Sequence, residues 1–96
     1  MKIHTKEEAD FLLNLFKLII SDKAELIGSF GKGAKKSKHD IDILLPDIRK
    51  TNKLKEKIST ILCSEEIEDT DWGGWYFKNT FFGDVDIFFN TKGFDY

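Results

Sequence analysis

Cysteine, histidine and long apolar runs are all scarce in this 96-residue chain, and each shortage closes off a class of protein. One cysteine, Cys63, cannot form a disulfide within the chain, so a bridge-stapled secreted framework is excluded and a reducing, cytoplasmic compartment is expected. Two histidines and one thiol fall short of a four-ligand structural zinc site. The apolar run at residues 11–20 is interrupted by Asn14 and Lys17, so nothing spans a bilayer and no membrane partner is expected. The first eight residues lead into acids and carry no signal-peptide hydrophobic region. An excess of one charge is also missing: 15 Lys+Arg against 17 Asp+Glu leave −2, with no general pull toward nucleic acid.

What is present is an ordinary globular balance, 41% hydrophobic and 33% charged, which argues against disorder. At this length it predicts a single domain over residues 1–96. Thr5 followed by Glu8 fits a capping box. Phe11, Leu12, Leu15, Phe16 and Ile19 then recur at helical spacing and predict one buried face. Residues 24–30 read as a short buried strand ending at Gly28-Ser29, and residues 31–38 as a mobile loop. Residues 40–45 alternate acid and aliphatic before Pro46 ends them, predicting a second strand. Leu54, Ile58, Ile61 and Leu62 mark a second helix over about residues 51–64. Residues 65–71 read as an acidic connector, and residues 75–82 and 84–90 as a terminal hairpin turning at Gly83 or Asn79. The expected fold is an α/β (α+β) domain with a small mixed sheet of about four strands and two main helices on one face.

Three segments carry potential chemistry. In Asp40-Ile41-Asp42 the two carboxylates of a strand share a face, roughly 6.6 Å apart along the backbone, and can converge on a hard cation such as Mg2+. Alone, the tripeptide reads more simply as the wet face of a half-exposed strand. Asp84-Val85-Asp86 repeats the pattern, and alone it reads as a charged hairpin rim. Were the two strands neighbours, three or four carboxylates would gather and raise one another's pKa unless a cation or nearby lysines relieved them. The third segment, residues 28–33, supplies glycines, the Ser29 hydroxyl and the Lys32 ammonium as phosphate donors; its plainer reading is a flexible turn. It is not a Walker A loop, because Lys32 is followed by Gly33. Together the three segments form the minimum equipment for two-metal phosphoryl or nucleotidyl transfer.

The order Ile27-Gly28-Ser29, variable loop, Asp40-Ile41-Asp42-Ile43, then Val85-Asp86-Ile87 resembles the nucleotidyltransferases of the DNA polymerase beta superfamily over residues 26–89. The resemblance implies the nucleotidyltransferase fold, with Gly28 and Ser29 on the nucleotide's β- and γ-phosphates and Lys32 beside them. It implies two Mg2+ ions bridged by Asp40 and Asp42, and Asp86 as the third catalytic carboxylate, with Asp84 as its alternate. The implied reaction moves an NMP, AMP foremost, from ATP or another NTP to a hydroxyl acceptor. Stand-alone minimal members further imply a small helical partner protein, as in toxin–antitoxin pairs, or a second copy of the chain. Two other readings stand beside it: a reduced polymerase-like core acting on nucleic acid, disfavoured by the acidic balance, and a non-catalytic nucleotide- or partner-binding module. Lysine stands at 32 where small members often carry arginine, and His39 precedes the first acid where they often carry serine, which leaves nucleotide preference open.

Of the remaining residues, Lys32, Lys35, Lys36 and Lys38 read as a guide for triphosphate or as a solvated loop. His39 reads as a hydrogen-bonding neighbour rather than a general base, and Cys63 as core. Trp72, Trp75, Tyr76, Phe77, Phe81, Phe82, Phe88 and Phe89 exceed what one hairpin face can bury, and a partner surface is expected to take some of them.

Overall fold

Alternation and capping, the two local patterns read above, both take shape in the computed structural model, which describes residues 4–37, 40–71 and 73–90. Strand β1 (His4–Thr5) leads into helix α1 (Lys6–Ile19), whose start is closed by a reciprocal cap. The Thr5 hydroxyl accepts from the Glu8 N–H and the Glu8 carboxylate from the Thr5 N–H, each at 3.2 Å. The inward face of α1 is Ala9, Leu12 and Phe16, all fully buried. Phe11 and Ile19, expected on that face, are instead 57% and 46% exposed, because the sheet meets a narrower stripe than the apolar spacing offers.

The segment expected as a strand over residues 24–30 divides into two elements. Strand β2 (Glu25–Ile27) is followed by a single helical turn, α2 (Gly28–Gly31). The predicted loop contains strand β3 (Lys36–Ser37), which pairs antiparallel with β1 and ties the start of α1 to the approach to Asp40. Lys38 and His39 lie outside the described residues, as does Trp72. Strand β4 (Ile41–Leu45) is followed by helix α3 (Asn52–Leu62), where the Thr51 hydroxyl accepts from the Leu54 N–H at 3.1 Å. Cys63, expected in the core, closes α3 in the left-handed conformation (φ 55°) with its thiol exposed.

The expected connector is strand β5 (Glu66–Asp69), so the sheet gains a member. Strands β6 (Trp75–Thr80) and β7 (Gly83–Phe89) form the hairpin, which turns at Phe81-Phe82; Asn79 (φ 52°) marks a register shift between Phe77 and Thr80 rather than the turn. The main sheet is an open, mixed, five-stranded one in the order β2-β4-β7-β6-β5, not the expected four. Its one parallel pairing is between β4 and β7 at the centre.

Period-two alternation divides this sheet cleanly. Ile41, Ile43, Leu45, Val85, Ile87, Trp75 and Phe77 point to one face and bury against Leu12 and Phe16 of α1 and Ile58 and Leu62 of α3. Asp42, Leu44, Asp84, Asp86, Phe88, Tyr76 and Lys78 point to the other face, which is only partly covered. Most of the hairpin's aromatic excess is therefore core. Trp75, Phe77, Phe82 and Phe89 are buried, with Trp75 edge-on to Phe77 and Phe89 at 6.3 and 5.3 Å between centroids. Phe81, 74% exposed, is the hairpin aromatic left on the surface, beside Phe82 at 5.2 Å.

Candidate functional site

The parallel pairing of β4 with β7 decides where the acids meet. Its register sets Ile41 opposite Val85 and Asp42 opposite Asp86. Asp42 on β4, Asp40 just ahead of that strand, and Asp84 and Asp86 on β7 are thus brought close together toward the wet face. Adjacent strands lie about 4.8 Å apart, so unlike-strand neighbours are within side-chain reach.

The four acids divide three to one. Asp86 hydrogen-bonds through its side chain to Asp42 and to Asp40. Burial, then the bond to Asp42 and the negative charges of Asp42 and Asp40, push the Asp86 carboxyl up to about 7. Asp84 is turned elsewhere. Its Oδ2 accepts from the Tyr76 hydroxyl at 2.9 Å and its Oδ1 from the Asn79 N–H at 3.0 Å. Of the two acids that the sequence leaves as alternates, Asp86 is the one whose side chain interacts with Asp40 and Asp42.

The serine-bearing turn abuts this cluster. A Cβ on Gly28 would stand 2.2 Å from Asp42 Oδ2, and Gly28 sits at φ +66°, so only glycine lets the turn approach so closely. Glycine was expected there for access to phosphate; close contact with Asp42 is a second reason. Ser29 follows on α2, half-exposed. Lys32 closes that turn, its N–H reaching the carbonyls of Gly28 and Ser29 at 3.1 and 3.2 Å, with its side chain in solvent together with those of Lys35 and Lys36.

On the opposite flank, toward β5, a cavity of about 450 Å³ is lined by Asp40, Asp86, Tyr76, Glu68, Asp69 and neighbouring residues of that segment. Glu68 is held by Lys78 at 2.6 Å and Asp69 by Lys50 at 3.5 Å. Tyr76, which the sequence presents as one more aromatic, lines this cavity beside the acids. Partial burial, its bond to Asp84 and the charges of Asp40, Asp84 and Asp86 raise its phenol pKa well above the ordinary value, so it stays a hydrogen-bond donor. Its signal was its phase: it alternates with Lys78 onto the face that Asp84 and Asp86 share.

As these side chains stand, no group of three or more His, Cys, Asp or Glu among the described residues forms a metal-holding set. Asp86 instead interacts through its side chain with both Asp42 and Asp40, an arrangement that favours its protonated form. The donor chemistry nonetheless fits Mg2+: all three are hard oxygen ligands, and a cation would relieve their mutual repulsion. Among the described residues no helix is long and apolar enough to cross a membrane. No protein-family model, curated protein or solved structure matches this chain.

Proposed function

We propose that this domain is a Mg2+-dependent nucleotidyltransferase of the DNA polymerase beta type, transferring an NMP, AMP foremost, from an NTP to a hydroxyl acceptor. The observation that carries the reading is the meeting of Asp40, Asp42 and Asp86 on one face, directly against the Gly28-Ser29 turn. In this reading Asp40, Asp42 and Asp86 hold the divalent ions. Mg2+, when bound, supplies charge neutralisation at the triphosphate and acidifies the acceptor hydroxyl.

The chain's own groups divide the remaining work. The Gly28-Ser29 turn and the Lys32 ammonium receive the β- and γ-phosphates on the β2 flank, where the exposed lysines lie. The acceptor enters by the cavity on the β5 flank, which Asp40 and Asp86 line from within. Its oxygen forms the new bond to the α-phosphorus as the bond to diphosphate breaks, and its proton passes to Asp86. The exposed Phe11, Leu18 and Phe81 support a small helical partner or a second copy of the chain as acceptor or regulator. The exposed thiol of Cys63 fits a reducing, cytoplasmic setting.

Titration calorimetry with Mg-ATP tests the reading, together with incubation with α-labelled NTPs, candidate proteins and nucleic-acid primers. The unaltered protein is expected to bind Mg-ATP and pass label to a hydroxyl. Asp40→Asn and Asp42→Asn are expected to weaken binding by about tenfold or more, since each removes a charged ligand. Equal binding by all three proteins, with no label transferred, would leave a docking module in place of an enzyme; label on a primer would move the acceptor to nucleic acid.

A further inference from the structure

Four acids lie on or beside two central strands, and Asp86 interacts with Asp42 and Asp40 while Asp84 is held from another strand. The fourth, Asp84, stands two residues before Asp86 on β7, with Asp40 leading into the strand alongside. Nothing in strand geometry keeps it out: its distance from the cluster along β7 is the same two-residue step that separates Asp40 from Asp42. What distinguishes it is its partners. Both of its oxygens are engaged from β6, one by the Tyr76 hydroxyl at 2.9 Å and the other by the Asn79 N–H at 3.0 Å. Each of those donors depends on a specific placement. Tyr76 is paired across the strands with Asp86, so its ring reaches diagonally to Asp84. Asn79 offers its N–H from a left-handed residue inside the register shift of β6.

We infer that Tyr76 is a positioning residue, whose hydroxyl draws Asp84 away from Asp40, Asp42 and Asp86 and so leaves three carboxylates, not four, to hold a divalent cation. The inference rests on the nucleotidyltransferase reading above. The physical consequence is selectivity in charge. A fourth carboxylate at the cluster would add negative potential and a competing ligand, tightening cation binding while displacing the ions from the turn that receives phosphate. Tyr76→Phe keeps the ring and frees Asp84 Oδ2, leaving Oδ1 on the Asn79 N–H as a pivot about which the carboxylate can turn.

The test uses the full chain in four forms: unaltered, Tyr76→Phe, Asp84→Asn and the double variant, with Asp86→Asn as a control. Metal-free thermal unfolding first measures the tether: Tyr76→Phe lowers Tm in the unaltered background and by less in the Asp84→Asn background, where a neutral amide replaces the charged acceptor. Mn2+ is then titrated into each, and the free ion is followed by its paramagnetic resonance signal. Tyr76→Phe is expected to tighten Mn2+ binding by about threefold or more, the scale of one released hydrogen bond. Asp84→Asn, and the double variant, are expected to stay within about twofold of the unaltered protein, by the same scale. Affinity unchanged or lowered by Tyr76→Phe, or a shift that persists when Asp84 is already asparagine, overturns the inference and leaves the enzymatic reading intact. Absence of Mn2+ binding in the unaltered protein, or binding undiminished by Asp86→Asn, overturns the enzymatic reading and the inference with it.

Discussion

Asp42 and Asp86 are register partners on adjacent parallel strands, and their carboxyl groups are joined by a hydrogen bond. Like-charged groups in that relation are relieved by a shared proton or by a shared cation. The two alternatives make opposite demands on pH and on metal, and both can be measured.

With a proton in the cluster, the stability of the metal-free chain depends on pH. The Asp86 carboxyl rises from 3.8 to about 7 in the folded state. Between those values the folded chain binds the proton more tightly than the unfolded chain does, so stability falls as pH rises through the window. Asp86 is only partly buried, and screening should hold the loss to about 1–2 kcal/mol. Thermal unfolding from about pH 4 to 8 should therefore show the unaltered protein losing roughly 5–10 °C relative to Asp86→Asn. A constant difference between the two across that range counts against the shared proton.

With a cation in the cluster, the sign reverses. At a pH above the Asp86 value, millimolar Mg2+ should raise Tm, and chelation should restore the lower one. At ten times the dissociation constant the gain is about 1.4 kcal/mol. Asp42→Asn should remove the response. A Tm indifferent to Mg2+ with and without nucleotide would falsify a divalent-ion role for these acids.

Gly28→Ala is expected to be costly out of proportion to its size. The new methyl would sit 2.2 Å from Asp42 Oδ2, on a backbone at φ +66°. Strain and displacement together should cost about 2–3 kcal/mol in urea unfolding. Asp42 must move to admit the methyl, so Mg-ATP binding should suffer as well. A neutral outcome would mean that the turn does not press on the acid.

The aromatic residues of the hairpin should separate by face. Phe77→Ala opens a cavity in the fully buried core and should cost about 3–5 kcal/mol. Phe81→Ser, at a residue 74% exposed, should cost less than about 0.5 kcal/mol. If Phe81 serves a partner or a second copy, the same substitution should weaken association measured by light scattering or ultracentrifugation.

Much of this was legible in the linear order. The Thr5–Glu8 cap, the apolar spacing of α3 and the alternation of β4 and β7 are local patterns, and local patterns survive folding. The acids Asp40, Asp42 and Asp86 could be named for the same reason. What could not be read came from pairing between distant segments. Asp84 and Asp86 share one phase, and only Tyr76 and Asn79, on another strand, tell them apart. Strand β5 was hidden by its composition: Glu66 and Glu68 argue against a strand until Asn79 and Lys78 on β6 receive them. Cys63 followed an apolar helix and so looked internal, but the left-handed turn that ends α3 swings it outward.

That acidic strand also borders the sheet, with nothing paired beyond it among the described residues. A bare border is an invitation for another chain to add itself, rung by rung, toward fibrous assembly. Here a second molecule offering its own copy of the same segment would bring Glu66, Glu68 and Asp69 against their duplicates. Mutual repulsion discourages that growth at neutral pH, and acidification would weaken the deterrent.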